Sequence, residues 1–256
     1  VQVRDDDGVA GQIDPQSREV HVWRVNLGES SDRCAIFDRY LSVDERARRE
    51  RFRSELIGRR WAEARGALRV VLGSYASVAP SRIVFDTGQF GKPVLRESNV
   101  ALSFNITHTG NIALIAVAGT NRMVGIDAEL IRSDVEWSNL SRRFFAPAEA
   151  EEIHSAPPEQ HVAAFFACWT RKEALVKAMG VGLSMLLDTF QVSMLPNRPA
   201  EVIAVAGDPL ARTRWKLVDL SEADFAAALA VNIPDPIMRR FSFEDVLQEG
   251  LKRVGA

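Results

Sequence analysis

The chain has 256 residues, 46% apolar and 26% charged, with 32 basic and 34 acidic side chains and a formal charge of −2. That length supports one large domain or two smaller ones around a real core. The charge balance excludes a general nucleic-acid binder, which needs a basic excess. Only two cysteines occur, Cys34 and Cys168, far apart and without metal-ligand spacing, so no disulfide framework is expected. Cys168 ends the apolar run 163–168 and reads as a buried thiol. No secretory leader is recognisable, and the apolar run 112–118 is far too short to span a bilayer, so a cytoplasmic protein is expected.

Residues 20–27 alternate apolar and polar side chains, which predicts a half-buried strand. Residues 43–72 predict a long helical region, because Ile57, Trp61, Ala64, Leu68, Val71 and Leu72 recur at three- and four-residue spacing. The same region carries nine arginines against five acids. A small polyanion or a solvated helix face explains that excess equally well. Pro80 and the turn at 88–93 punctuate the chain after this helical region.

Two strands are expected next, at 111–118 and 123–129, with a domain boundary in the loop near Gly119. The division is therefore 1–119 and 120–256. Residues 135–178 predict helices, broken at Ala156, Pro157 and Pro158, and strands return at 189–194, 214–220 and 225–232. Each half reads as helices plus a small, mostly antiparallel sheet, an α/β (α+β) protein.

On a strand through residues 124–130, Asp127 and Glu129 project to the same side, about 7 Å apart, while Val124, Ile126 and Ala128 face the core. Two carboxylates so placed are either a solvated acidic pair or the ligands of a hard divalent ion such as magnesium. Further along, Trp169, Glu173 and Lys177 stand four residues apart on one helix face, directly after an apolar segment. His108 lies between Thr107 and Thr109, just before an apolar strand, and Lys92 precedes Pro93 in a turn. Each of these also has a purely structural explanation.

Taken in order, the motifs resemble one family. They are G-K-P at 91–93, F-N-I-T-H-T at 104–109, G-I-D-x-E at 125–129, R-F-F at 143–145 and W-x-x-K-E-x-x-x-K at 169–177. The set is similar to the phosphopantetheinyl transferases that activate surfactin synthetase and related assembly lines, over roughly residues 42–190. The resemblance implies a pseudo-dimer of two similar α/β halves in one chain, with coenzyme A between them. It implies transfer of the 4′-phosphopantetheine arm of coenzyme A to a serine of an apo carrier protein, with release of 3′,5′-ADP.

On the matched positions it implies Asp127, Glu129 and Glu173 as magnesium ligands. Thr107, His108 and Lys177 would meet the phosphates of coenzyme A, and Lys92, Arg60 and Arg48 its 3′-phosphate end. Lys177 is expected to act in catalysis, and the serine proton would go to Glu173 or Glu149. Met185 or Leu186 would face the carrier, and a monomer is expected because both halves share one chain. Three positions depart from the pattern: Thr107 replaces a serine, Ala128 a larger or acidic residue, and Glu45 a lysine, which weakens the expected 3′-phosphate clamp. The alternative is a non-catalytic module that binds coenzyme A or a carrier protein. A nucleoside triphosphatase is disfavoured, since no glycine-rich phosphate loop is present.

Overall fold

The computed structural model describes residues 1–5, 13–14, 17–28, 31–96, 102–195 and 198–244. The chain starts with β1 (Gln2–Asp5), β2 (Glu19–Asn26), α1 (Ser31–Asp38), α2 (Val43–Glu50) and α3 (Glu55–Ala76). It continues through β3 (Phe85–Thr87), β4 (Pro93–Leu95), β5 (Leu102–Thr109), β6 (Ile112–Gly119) and β7 (Val124–Leu130). Then come α4 (Trp137–Phe144), α5 (Pro147–Ser155), α6 (His161–Met179), β8 (Phe190–Val192) and β9 (Val202–Val205). The last described elements are α7 (Ala211–Arg214), β10 (Lys216–Asp219), β11 (Phe225–Val231) and β12 (Ile237–Ser242).

The helical region expected at 43–72 is two helices, because Ser42 and Ser54 each start one. Ser42 accepts from the amide of Glu45, and the Glu45 carboxylate accepts from the Ser42 amide in return, which closes a capping box. Ser54 caps α3 through the Ile57 amide. Between them the chain turns so that α2 folds back on α3 at Gly58, where a Cβ would sit 2.9 Å from the Arg49 carbonyl oxygen.

A five-stranded mixed sheet has the order β1-β12-β2-β6-β5, and a three-stranded antiparallel sheet the order β10-β11-β7. Helix α3 covers one face of the first, burying Leu68, Val71, Leu72 and Tyr75 against Trp23, Val25, Ile115 and Val117. Helix α6 covers the second, with Ala174, Leu175 and Ala178 against Ala226, Ala228 and Ala230. The remaining faces share a third core of Val20, Val22, Leu114 and Ala116 with Val124, Ile126, Leu229 and Val231. Each buried Leu, Ile or Val there contributes about 1.5–3 kcal/mol. Strand β6 is apolar throughout because both of its faces are covered, as in any central strand packed on two sides.

One strand crosses the division expected near Gly119. The second half does not keep its own C-terminal strand: β12 returns to the first sheet and lies parallel between β1 and β2. Phe241 draws it there by stacking on Trp23 with centroids 4.5 Å apart. The first sheet is therefore not purely antiparallel. Residues 245–256, also assigned to the second half, lie outside the described residues.

Candidate active site

Strand β5 is the edge of the first sheet and β7 the edge of the second. Residues at every second position of β5 join them. The Ile126 amide donates to Asn105 Oδ1 (2.8 Å), the Leu130 amide to Thr109 Oγ1 (3.1 Å), and Thr107 Oγ1 donates to Asp127 Oδ1 (3.4 Å). The polar positions of F-N-I-T-H-T thus form a side-chain seam, which orients β7.

Strand β7 alternates as expected. Val124, Ile126 and Ala128 enter the shared core. On the other face Gly125 admits α6 so closely that an added Cβ would lie 2.1 Å from the Ala174 carbonyl oxygen and 2.3 Å from the Ala178 amide nitrogen. That approach brings the W-x-x-K-E-x-x-x-K helix onto Asp127. Lys177 Nζ lies 2.6 Å from Asp127 Oδ1 and also reaches the Ile126 carbonyl.

Asp127 is 4% exposed, and its Oδ2 is buried without a hydrogen-bond partner. Glu129 and Glu173 are half-buried. Burial and then the Asp127 charge push the Glu173 carboxyl above its ordinary range, with Lys177 opposing. Burial and Asp127 likewise raise Glu129, and Glu173 adds to the effect. Lys177 pairs directly with Asp127, and Glu129 and Glu173 stand near enough to feel the Asp127 charge. Oxygen is their only anionic donor, and one buried oxygen of Asp127 is unpartnered. That set fits a hard cation such as magnesium, which takes one or two carboxylates and keeps places for water and phosphate. As the side chains stand, no group of three His, Cys, Asp or Glu among the described residues is close enough to hold a metal ion.

A cleft of about 560 Å³ opens beside these groups, lined by Glu173, Lys177, Phe90, Trp169, Met185 and Leu186 among others. His108 is exposed. Protein atoms on one side of the imidazole partly desolvate it, and this, followed by the positive charges of Lys177 and Arg48, holds it below the ordinary value. Arg48 therefore stands on the His108 side, with its guanidinium over the Trp61 ring at 5.1 Å. It also lines a second cleft of about 530 Å³, together with Arg65, Arg69 and Arg96 and the acidic Asp44, Glu45 and Asp86, which meets the first at Gly91 and Pro93. The sequence motifs did not single out Arg65, Arg69 or Arg96, although the first two lie in the arginine-rich stretch.

Other expected residues are placed differently. Lys92 lines the first cleft, but its ammonium donates to the carbonyls of Val124 (2.9 Å) and Lys177 (2.8 Å), and burial lowers its pKa to about 8. It ties the 88–93 turn to β7 and α6. Arg60 lines neither cleft; it lies beside Gly28 with its Nε buried and unpartnered. Glu45, at the departing position, pairs with Arg65 and Arg69 instead of meeting solvent.

Glu149 is 2% exposed and does not line the cleft. One carboxylate oxygen accepts from the Val192 amide (2.7 Å), the other from the Ala146 amide (3.0 Å) and from Lys172 Nζ (2.7 Å). Its place three residues into α5 makes it a cap, and burial in the helix-packed interior removes it from the group around Asp127.

A model of the 4′-phosphopantetheinyl transferase superfamily matches residues 123–230. The 4′-phosphopantetheinyl transferase HetI of Nostoc sp. is 38% identical over 218 residues, which span 84% of this chain and 88% of that protein. The 4′-phosphopantetheinyl transferase Sfp of Bacillus subtilis is 27% identical over 158 residues, 62% of this chain and 68% of that protein. Among solved structures, the holo-[acyl-carrier-protein] synthase of Helicobacter pylori in complex with coenzyme A aligns with 42% of this chain and 97% of its own, at 19% identity and a TM-score of 0.34. The extent and identity of the HetI match, with the ordered motifs around Asp127, establish that this chain belongs to the 4′-phosphopantetheinyl transferase superfamily.

Proposed function

We propose that this chain transfers the 4′-phosphopantetheine group of coenzyme A to a serine of an apo carrier protein, with Asp127, Glu129 and Glu173 holding magnesium. The observation that carries the reading is the Lys177–Asp127 pair beside an open cleft that Glu173 and Lys177 line, with Asp127 Oδ2 buried and unpartnered and the Glu129 and Glu173 carboxyls raised by the Asp127 charge. Magnesium bound there would supply positive charge against the pyrophosphate oxygens of coenzyme A.

In the reaction the serine oxygen bonds to the phosphorus bearing the pantetheine arm, and the bond to 3′,5′-ADP breaks. Such transfer needs positioning and charge neutralisation more than covalent help. Lys177 brings one ammonium to the reacting phosphate, and His108 and Arg48 face the same anion. Arg48 on the wall of the second cleft supports seating the 3′-phosphate end there, since Arg65 and Arg69 are taken up by Glu45. Lys92 supports the site as a strut between turn, strand and helix. Glu173 lines the cleft and is the carboxylate placed to receive the serine proton, directly or through a bound water.

Exposed Leu186 and half-buried Met185 at the mouth support carrier docking on that rim. A helix on a sheet in each half, α3 on the first and α6 on the second, supports a pseudo-dimeric architecture divided near Gly119. Both walls of the cleft come from one chain, which supports a monomer. The buried thiol of Cys168, outside any disulfide, supports a reducing, cytoplasmic setting. Among the described residues no helix is long and apolar enough to cross a membrane.

The test incubates the full chain with coenzyme A, magnesium and an apo carrier protein and then weighs the carrier. A gain of one phosphopantetheine unit is expected. Binding of coenzyme A without any mass gain would leave a binding module and overturn the enzyme.

A further inference from the structure

Outside the cleft, the least expected feature is a charged pair in the interior of the second half. Lys172, the residue before Glu173 on α6, is fully buried. Its ammonium has three acceptors: the Leu187 carbonyl (2.6 Å), the Phe190 carbonyl (2.5 Å) and Glu149 Oε2 (2.7 Å). It also lies 4.2 Å above the Phe190 ring. Glu149 passes the connection on to the Val192 amide and to the Ala146 amide. One ion pair therefore fastens three segments to the helix that carries Glu173 and Lys177.

Those segments build one wall of the cleft. Leu187 follows Met185 and Leu186 along the rim, and Ala146 directly follows Phe144 and Phe145. Phe144 meets Trp169 edge-on at 6.0 Å, and Phe145 packs on Trp169 and Phe165. A buried ion pair is rarely the most stable way to fill a core, because well-packed apolar side chains do it without desolvating two charges. What the pair adds is direction, since each bond fixes one backbone group at one place.

We propose that Glu149 and Lys172 are positioning residues that pin the Phe144–Phe145 and Met185–Leu187 wall to α6, and so hold the carrier-binding rim in register with Glu173. The role rests on the transferase reading above. It predicts an effect on the carrier rather than on coenzyme A, because the His108, Arg48 and Lys177 cations that would meet coenzyme A are not fastened by this pair.

The experiment compares the full-length chain with Glu149→Gln, Lys172→Met and the double variant, which removes both charges together and keeps a core substitution foldable if Lys172→Met alone fails. Hydrogen exchange of the segment 185–192 is read beside kcat and the two KM values. In Glu149→Gln and the double variant, 185–192 should lose protection while α3 and β6 keep theirs. KM for the carrier should rise about tenfold, with KM for coenzyme A and kcat within about twofold to threefold of the parent. Unchanged protection, or an equal rise in both KM values, overturns the proposal. So does a fall in kcat by orders of magnitude with loss of the acidic limb of the kcat–pH profile in Glu149→Gln, because Glu149 would then be the base. If the parent transfers nothing, the transferase reading fails by itself, and the exchange data still decide whether the pair pins the wall.

Discussion

Gly125 and Ala178 face each other so closely that no side chain fits between them: a Cβ on Gly125 would meet the Ala178 amide nitrogen at 2.3 Å. Backbone atoms, which cannot swing aside, form both walls of this contact. The glycine sets the distance from β7 to α6, and with it the distance from Asp127 to Lys177.

Gly125→Ala should therefore act on stability and catalysis together. Overpacking typically costs about 1–3 kcal/mol, and a contact with rigid backbone belongs at the upper end, about 3 kcal/mol. Thermal unfolding gives the stability loss, and turnover of the folded fraction gives the catalytic one. A stable variant with parental kcat would show that α6 can shift without disturbing Asp127 and Lys177.

Asp127→Ala and Glu173→Ala should each lower kcat by at least about 10²-fold, the scale seen when a group stabilising transition-state charge is removed. The fold should survive, since Glu173 is half-buried and Asp127 carries an unpartnered oxygen. Circular dichroism checks the fold, and kcat is measured across a magnesium titration. Near-parental activity of either variant at limiting magnesium would remove that carboxylate from the metal site.

Desolvation of its ring and the charges of Lys177 and Arg48 hold His108 below its ordinary value, which favours the neutral imidazole. A polyphosphate beside it reverses the local field and raises its pKa, since an anion favours the imidazolium. Coenzyme A binding should then be accompanied by proton uptake. Calorimetry in two buffers of different ionisation enthalpy reads the uptake, which should vanish in His108→Ala. Binding of the parent with no proton exchange would place the phosphates away from His108.

Glu45 joins the first turn of α2 to Arg65 and Arg69 of α3. Burial by itself would raise its carboxyl, but hydrogen bonds from Arg69, the Ser42 amide and Arg65 outweigh that and hold it below 4.5. A carboxylate depressed in the folded state stabilises it above the unfolded pKa, and that contribution disappears as pH falls through the folded value. Glu45→Ala should thus cost about 3 kcal/mol near neutral pH, because two guanidinium groups lose their buried partner. It should also flatten the loss of stability below pH 4.5. Urea unfolding at a series of pH values checks both, and parallel curves for parent and variant would refute the assignment.

Much of the site was legible in residues close together in the chain. The alternation at 124–130 correctly separated the core-facing Val124, Ile126 and Ala128 from Asp127 and Glu129. The four-residue spacing of Trp169, Glu173 and Lys177 correctly put Glu173 and Lys177 beside one another. The split of α2 from α3 was less visible, although Ser42 and Ser54 are both good caps, because the apolar spacing runs on past them. The return of β12 could not be read locally, since its partners lie more than two hundred residues earlier.

By itself the sequence determined the period of each strand and helix, hence which side chains share a face, and the ordered motifs that mark the family. Only the tertiary structure decided what each polar side chain meets. It sent Glu149 inward to Lys172, gave Lys92 two carbonyls to hold, and turned Glu45 toward Arg65 and Arg69. Periodicity is set by backbone geometry within a few residues, whereas the partner of a charge is set by which distant segment the core packs beside it.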